Sequence, residues 1–212
     1  MIDLAAYVLE PLYQEGACLL SRGQLQSQRA GMVSSLLVVA PVGDHPAPAS
    51  LQRLEHEYAL RAALDPAWAV RPLALTQHQG RTLLVLADPG GEPLDRLLGR
   101  PMAVAPFLRV AIGLSSALGR LHAKGLIHKD VKPANVLVHP ATGQAWLTGF
   151  GVASRLPRER QAPDPPEVIA GTLAYMAPEQ TGRMNRSVDS RSDLYALGVT
   201  LYEIDIIGFN RN

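Results

Sequence analysis

Apolar positions change their rhythm about halfway along this chain. In the first half they come as short runs broken by glycine and polar residues: 17–20, 32–42, 70–75 and 81–86. Runs of that length, bounded by turn formers, predict strands of a small sheet. Between them, Gly43 to Ser50 carries Asp44, Pro46 and Pro48 and predicts a loop. Ser50 is placed to cap a helix whose apolar positions are Leu51, Leu54, Tyr58 and Ala62. Beyond Pro101 the spacing becomes three and four. Phe107, Leu108, Ala111, Leu114, Ala117, Leu118 and Leu121 trace a helical stripe that Lys124-Gly125 ends. Residues 136–138 and 145–147 predict a short strand pair around a turn at 140–143. Residues 149–180 read as a long ordered loop, and a last helix is predicted over 189–203. Strands first, helices later and a Gly90-Gly91 break between them predict an α+β fold in two lobes.

Composition narrows the setting. The chain has 212 residues, 47% hydrophobic and 18% charged, with a formal charge of +1. That suits a globular protein and gives no electrostatic case for nucleic acid as a partner. The single cysteine, Cys18, excludes an internal disulfide. The first residues lack the pattern of a secretory signal, and the run 33–42 is too short to span a bilayer. A cytoplasmic protein without membrane insertion is the expectation.

The chemistry concentrates in His128-Lys129-Asp130-Val131-Lys132-Pro133-Ala134-Asn135. An aspartate there can orient a hydroxyl and accept its proton. A lysine two residues on can neutralise a transferring phosphoryl group, and an asparagine offers a cation its side-chain oxygen. This stretch resembles the protein-kinase catalytic loop, with Lys132 at the place typical of serine/threonine kinases. Further matches follow in order. Phe150-Gly151 stands where the metal-binding Asp-Phe-Gly motif belongs. Gly171-Thr172 leads to Tyr175-Met176-Ala177-Pro178-Glu179, which looks like the end of an activation segment. Asp193 matches the aspartate that clamps the catalytic loop, and Glu57 lies in the helix where kinases carry a pairing glutamate. Residues 181–203 are similar to N-terminal kinase modules of bacterial multidomain signalling proteins, which also hold an NTPase-like region and a sensor histidine kinase.

The resemblance implies a two-lobed kinase fold. The small strand-rich lobe would span 1–87 and a partial helical lobe 88–204. A non-matching tail would occupy 205–212, with the large lobe truncated after its last matching helix. It implies Asp130, Lys132 and Asn135 as catalytic residues, and ATP and Mg as cofactors. Leu86, Ala87 and Asn135 would serve the nucleotide, and Asn135 the metal. His128, Phe150, Gly151, Thr172, Glu179, Asp193 and Glu57 would be motif residues with structural roles. Thr172 is expected to pack near Asp130 and Lys132.

Several departures run against catalysis. Gly149 replaces the metal-binding aspartate and offers no ligand. Asp88 and Asp164 are in the wrong places in sequence to substitute. The strand that should carry a phosphate-binding lysine reads Leu36-Leu37-Val38-Val39. The best register puts Val38 at that position, and no lysine precedes Lys124. Arg29 or Arg53 would be an unusual repair. Without a cation, Glu57 reads equally well as an exposed helix carboxylate. Only Gly16 and Gly23 stand where a glycine-rich loop is expected. Pro89 falls where a backbone N–H would meet adenine, and proline has none. Arg61 sits at a position that is usually apolar.

The apolar face Leu194, Leu197 and Leu201 would lack partners, each exposed side chain forgoing about 1.5–3 kcal/mol. This predicts marginal stability or need of a partner. Ser154 is the only hydroxyl between Gly151 and Gly171, which argues against switching by phosphorylation there. His122 and His128 read as structural rather than metal-binding. The leading expectation is a pseudokinase or degenerate serine/threonine kinase module that regulates or scaffolds signalling through a protein partner or downstream domains. The alternatives are an active, unusual serine/threonine kinase and a non-functional gene fragment.

Overall fold

A computed structural model describes residues 2–27, 33–43, 46–98, 102–156, 172–182 and 187–209. The chain divides into two compact units, 1–66 with 70–90, and 67–69 with 91–212. Residues 67–69 were expected in the small lobe but belong to the second unit. Trp68 is buried, its carbonyl accepts from Leu147 N at 2.9 Å, and Ala69 pairs with Leu147.

The first unit is a five-stranded antiparallel sheet ordered β1-β2-β3-β5-β4. The strands are β1 (Tyr7–Glu15), β2 (Cys18–Leu25), β3 (Ser35–Pro41), β4 (Pro72–His78) and β5 (Arg81–Ala87). The sequence reading missed β1, whose Glu10, Pro11 and Gln14 interrupt any apolar run. Gly16, at φ +50, turns β1 into β2. Gly23 serves packing instead: a β-carbon there would stand 2.8 Å from Leu36 Cδ1.

Helix α1 (Pro48–Ala59) starts earlier than expected. Pro48 opens it, because a preset φ and a missing N–H cost nothing at a first turn. Ser50 therefore lies inside the helix and is buried. The buried stripe is Ser50, Leu54 and Glu57. Glu57, read as equally consistent with exposure, is only 4% exposed.

Leu36 and Val38 pack with Leu4, Ala6, Tyr7, Leu83 and Val85 on one sheet face. By strand alternation Leu37, Leu84 and Leu86 point to the other face, where they are fully buried. Helix α1 lies against β3, β4 and β5 and shares no residue with the first cluster. The β3 positions on the helix side are thus Leu37 and Val39. This corrects the placement of Val38: it lies on the face covered by the N-terminal segment.

The second unit is built on α2 (Val104–Ala123). Its Leu114, Leu118 and Leu121 are fully buried, and Gly125, at φ +70, releases the chain. Helix α2 is long and apolar enough to cross a membrane, which the search for apolar runs overlooked. Its buried stripe is that of a core helix. Around it lie two small sheets, β6 (Glu92–Pro93) with β8 (Val136–Val138) and β9 (Ala145–Leu147), and β7 (Leu126–Ile127) with β10 (Ser154–Arg155).

Helix α3 (Ser190–Phe209) continues past the expected end at 203 into the tail. Its buried positions are Ser192, Asp193, Ala196, Thr200 and Ile204. Leu194 is 53% exposed, while Leu197 and Leu201 are half-buried.

Candidate catalytic loop

Between β7 and β8 the chain forms a loop that ends in one 3-10 turn, Pro133–Asn135, and turns several polar groups inward. Asp193, on the first turn of α3, holds the start of this loop. Its Oδ2 accepts from His128 N and from His122 Nε2, both at 2.8 Å, and its Oδ1 accepts from Lys129 N at 2.8 Å. Lys129 adopts φ +68, a left-handed conformation costly for a side-chain-bearing residue. These bonds help offset that strain.

His128 is fully buried, its ring 4.8 Å from that of Phe150. Nε2–H donates to Thr148 O at 2.9 Å, and Nδ1 accepts from Asp130 N at 3.3 Å. One nitrogen donates and the other accepts, so the ring is neutral. Burial pushes its pKa below the usual range against the pull of Asp193 and Asp130. Burial also lowers the Lys129 ammonium, opposed by Asp193.

Asp130 sits at the centre. Its Oδ2 receives Lys132 Nζ at 2.9 Å and Asn135 Nδ2 at 2.9 Å, and its Oδ1 receives Thr172 N at 2.9 Å. Lys132 Nζ also donates to Thr172 Oγ1 at 2.5 Å. Asp130, Lys132, Asn135 and Thr172 therefore meet in one cluster. Gly171 and Asp164 lie outside the described residues.

Asn135 Nδ2 additionally donates to Asp130 O at 2.8 Å. Its Oδ1 faces Gly149, which is left-handed at φ +76. A β-carbon on Gly149 would stand 2.6 Å from that oxygen. Phe150 and Gly151 follow in a tight 3-10 turn, Phe150–Val152.

The segment 172–182 closes on the loop from another side. Glu179 is buried and accepts from Ser192 Oγ at 2.7 Å. Gln180 Nε2 donates to Lys129 O at 2.8 Å, while its Oε1 accepts from Ala177 N at 3.1 Å. Tyr175 Oη donates to Glu203 at 2.5 Å. Gln180 and Ser192 are site residues the sequence reading did not name, and for His122, read as structural, it did not find the partner Asp193. His122 carried a hint, lying at the end of α2 just before Gly125; Gln180 carried only its place beside Glu179.

Leu86, Ala87 and Glu57 belong to the first unit. Leu86 is fully buried in β5, and Ala87 N donates to Arg71 O at 2.8 Å. Asp88 is spent locally: Arg22 Nε meets it at 2.8 Å, Ser35 Oγ donates to it, and Gly90 N donates to it at 2.9 Å. Arg53 is exposed, and Arg61 stacks 4.3 Å over the Tyr58 ring, which explains a charge at that place. Arg29 lies outside the described residues. Among the described residues no group of three His, Cys, Asp or Glu side chains is arranged to hold a metal.

Comparison with known proteins places this geometry. The protein kinase domain family matches residues 47–207, into the expected non-matching tail. The chain is 36% identical over 127 residues to serine/threonine-protein kinase Pkn1 of Myxococcus xanthus, covering 58% of this chain and 18% of that protein. Against serine/threonine-protein kinase PknA of Mycobacterium tuberculosis it is 38% identical over 130 residues, 59% of this chain and 28% of that one. Against the DNA damage-responsive serine/threonine-protein kinase RqkA of Deinococcus radiodurans it is 33% identical over 199 residues, 91% and 29% respectively. The chain thus spans less than a third of the length of these relatives.

Proposed function

This chain belongs to the protein kinase family, and from that premise we propose that it acts as a pseudokinase: a kinase domain that regulates or scaffolds a signalling protein in the cytoplasm by binding rather than by phosphoryl transfer. One observation carries the reading. The place of the metal-binding carboxylate is a left-handed glycine, and the Asn135 amide fills the space its side chain would need.

ATP and Mg are the cofactors the family implies, and the residues present do not fit them. A divalent cation of this kind prefers carboxylate oxygens. Gly149 supplies none, and Asn135, its amide nitrogen bonded to Asp130, has one neutral oxygen to offer. The β3 positions on the helix side, Leu37 and Val39, are apolar, and no lysine precedes Lys124. Along 87–90, Ala87 N is used by Arg71 O, Pro89 has no N–H, and Gly90 N is used by Asp88. A purine edge meets few free donors there. Losing one preorganised charge typically costs 10²–10³ in rate, on the order of several kcal/mol of barrier.

A second reading, an active but unusual serine/threonine kinase, rests on the intact cluster of Asp130, Lys132 and Thr172. In it, Asp130 would receive the substrate hydroxyl proton and Lys132 would neutralise the transferring group.

Thermal unfolding with ATP, with and without Mg²⁺ or Mn²⁺, separates them. A ligand at 100 times its Kd stabilises by about 2.7 kcal/mol. The pseudokinase reading expects no metal-dependent shift in a folded chain and no transfer to a protein substrate. A metal-dependent shift with transfer abolished by Asp130→Asn would establish the second reading.

A further inference from the structure

The segment 177–182 ends in a 3-10 turn, Pro178–Thr181, that sends two neighbouring side chains inward. Glu179 reaches Ser192 on α3. Gln180 is 5% exposed and reaches the catalytic loop, where its amide spans two backbone groups. Oε1 accepts from Ala177 N of its own segment, and Nε2 donates to Lys129 O. The carboxamide suits this task because its uncharged planar head carries a donor amine beside an acceptor oxygen, so it can bond an N–H and a carbonyl at once.

The bonded carbonyl belongs to the residue under strain. Lys129 is left-handed, and the peptide on its N-terminal side is already gripped by Asp193. Gln180 grips the C-terminal side. Asp130 is the next residue, and its own carboxylate is tied to Thr172 N at the other end of the described segment. The segment therefore holds the loop at both ends, Thr172 at Asp130 and Lys132, and Gln180 at Lys129.

We infer that Gln180 is a positioning residue that locks the catalytic loop, and with it Asp130, to the segment 172–182. This goes beyond the pseudokinase reading and does not depend on it, since the lock concerns the loop's conformation and not nucleotide.

Hydrogen exchange of the intact chain, followed by mass spectrometry, tests it without any activity. Gln180→Met keeps length and bulk but loses both bonds. Gln180→Glu keeps the acceptor for Ala177 N and loses the donor to Lys129 O. Both variants are expected to speed exchange in peptides covering 127–135 by ~10-fold, with α2 peptides unchanged, as local opening at the loop requires. Only Gln180→Met should also expose Ala177. Wild-type protection of 127–135 in either variant would overturn the inference. So would equal acceleration in α2, which would make the side chain a packing element alone.

Discussion

The side-chain oxygen of Asn135 stands 2.6 Å from where a β-carbon of Gly149 would be. The two positions are therefore coupled: the glycine permits the asparagine's rotamer, and the asparagine resists any side chain at 149. A single reversion cannot simply restore a carboxylate beside an unmoved amide. Gly149→Asp must also hold φ +76, which aspartate tolerates better than most residues but not freely.

Gly149→Asp is accordingly expected to destabilise the chain by about 1–2 kcal/mol in urea unfolding. Adding Asn135→Ala should recover at least about 0.5 kcal/mol relative to the sum of the single changes, as contacting residues do. Strict additivity in the double-mutant cycle would show that the two side chains do not compete.

Arg22 and Asp88 form an ion pair with only 13% and 2% of their side chains exposed. Removing one partner strands the other. Asp88→Ala should cost about 3–5 kcal/mol, whereas Arg22→Met with Asp88→Leu together should cost much less, because no charge is then left buried. Chemical denaturation of the three proteins checks this; a single-mutant loss below about 1 kcal/mol would mean the pair is effectively solvated.

His128 titrates against the fold. The unfolded chain takes up a proton near the ordinary histidine value of 6.5, while burial holds the folded ring neutral to lower pH. Its contribution is complete above 6.5 and is lost as pH falls toward the lowered folded value. Stability should therefore decline on acidification by up to about 1.4 kcal/mol per pH unit for this one group. His128→Gln should flatten that limb; an unchanged slope would assign the decline to other groups.

Thr200 is fully buried on α3, and its hydroxyl has no hydrogen-bond partner among the described residues. Thr200→Val keeps the shape and removes the unpaired group. It should leave stability unchanged or raise it by up to about 1 kcal/mol. A clear loss in melting temperature would reveal a partner for the hydroxyl.

Where period and packing agree, the sequence was easy to read. The stripe of α2 has one buried face, and the pair β8 and β9, buried throughout, is marked by the turn between them. In Leu36-Leu37-Val38-Val39 the strand is apolar on both faces, so alternation carries no phase and Val38 was set one residue out of place. Glu57 looked exposed because charge predicts exposure in general, while its burial is decided by the turn of helix that Pro48 sets. The catalytic loop was legible because its groups lie within eight residues. Gln180 was not, since its partners are backbone groups, and a carbonyl has no letter in the sequence.

Trp68 and Ala69 give the molecule a property that a linear map of its halves hides. They belong to the second unit but are flanked on both sides by strands and helices of the first. No single cut in the chain separates the two. A fragment beginning at Gly91 would lack the buried indole and the backbone partner of Leu147. During synthesis these two residues emerge well before Leu147, their backbone partner, so they must wait for it. In sequence, the second unit therefore starts inside the first: Ala67–Ala69 precede Val70–Gly90 along the chain.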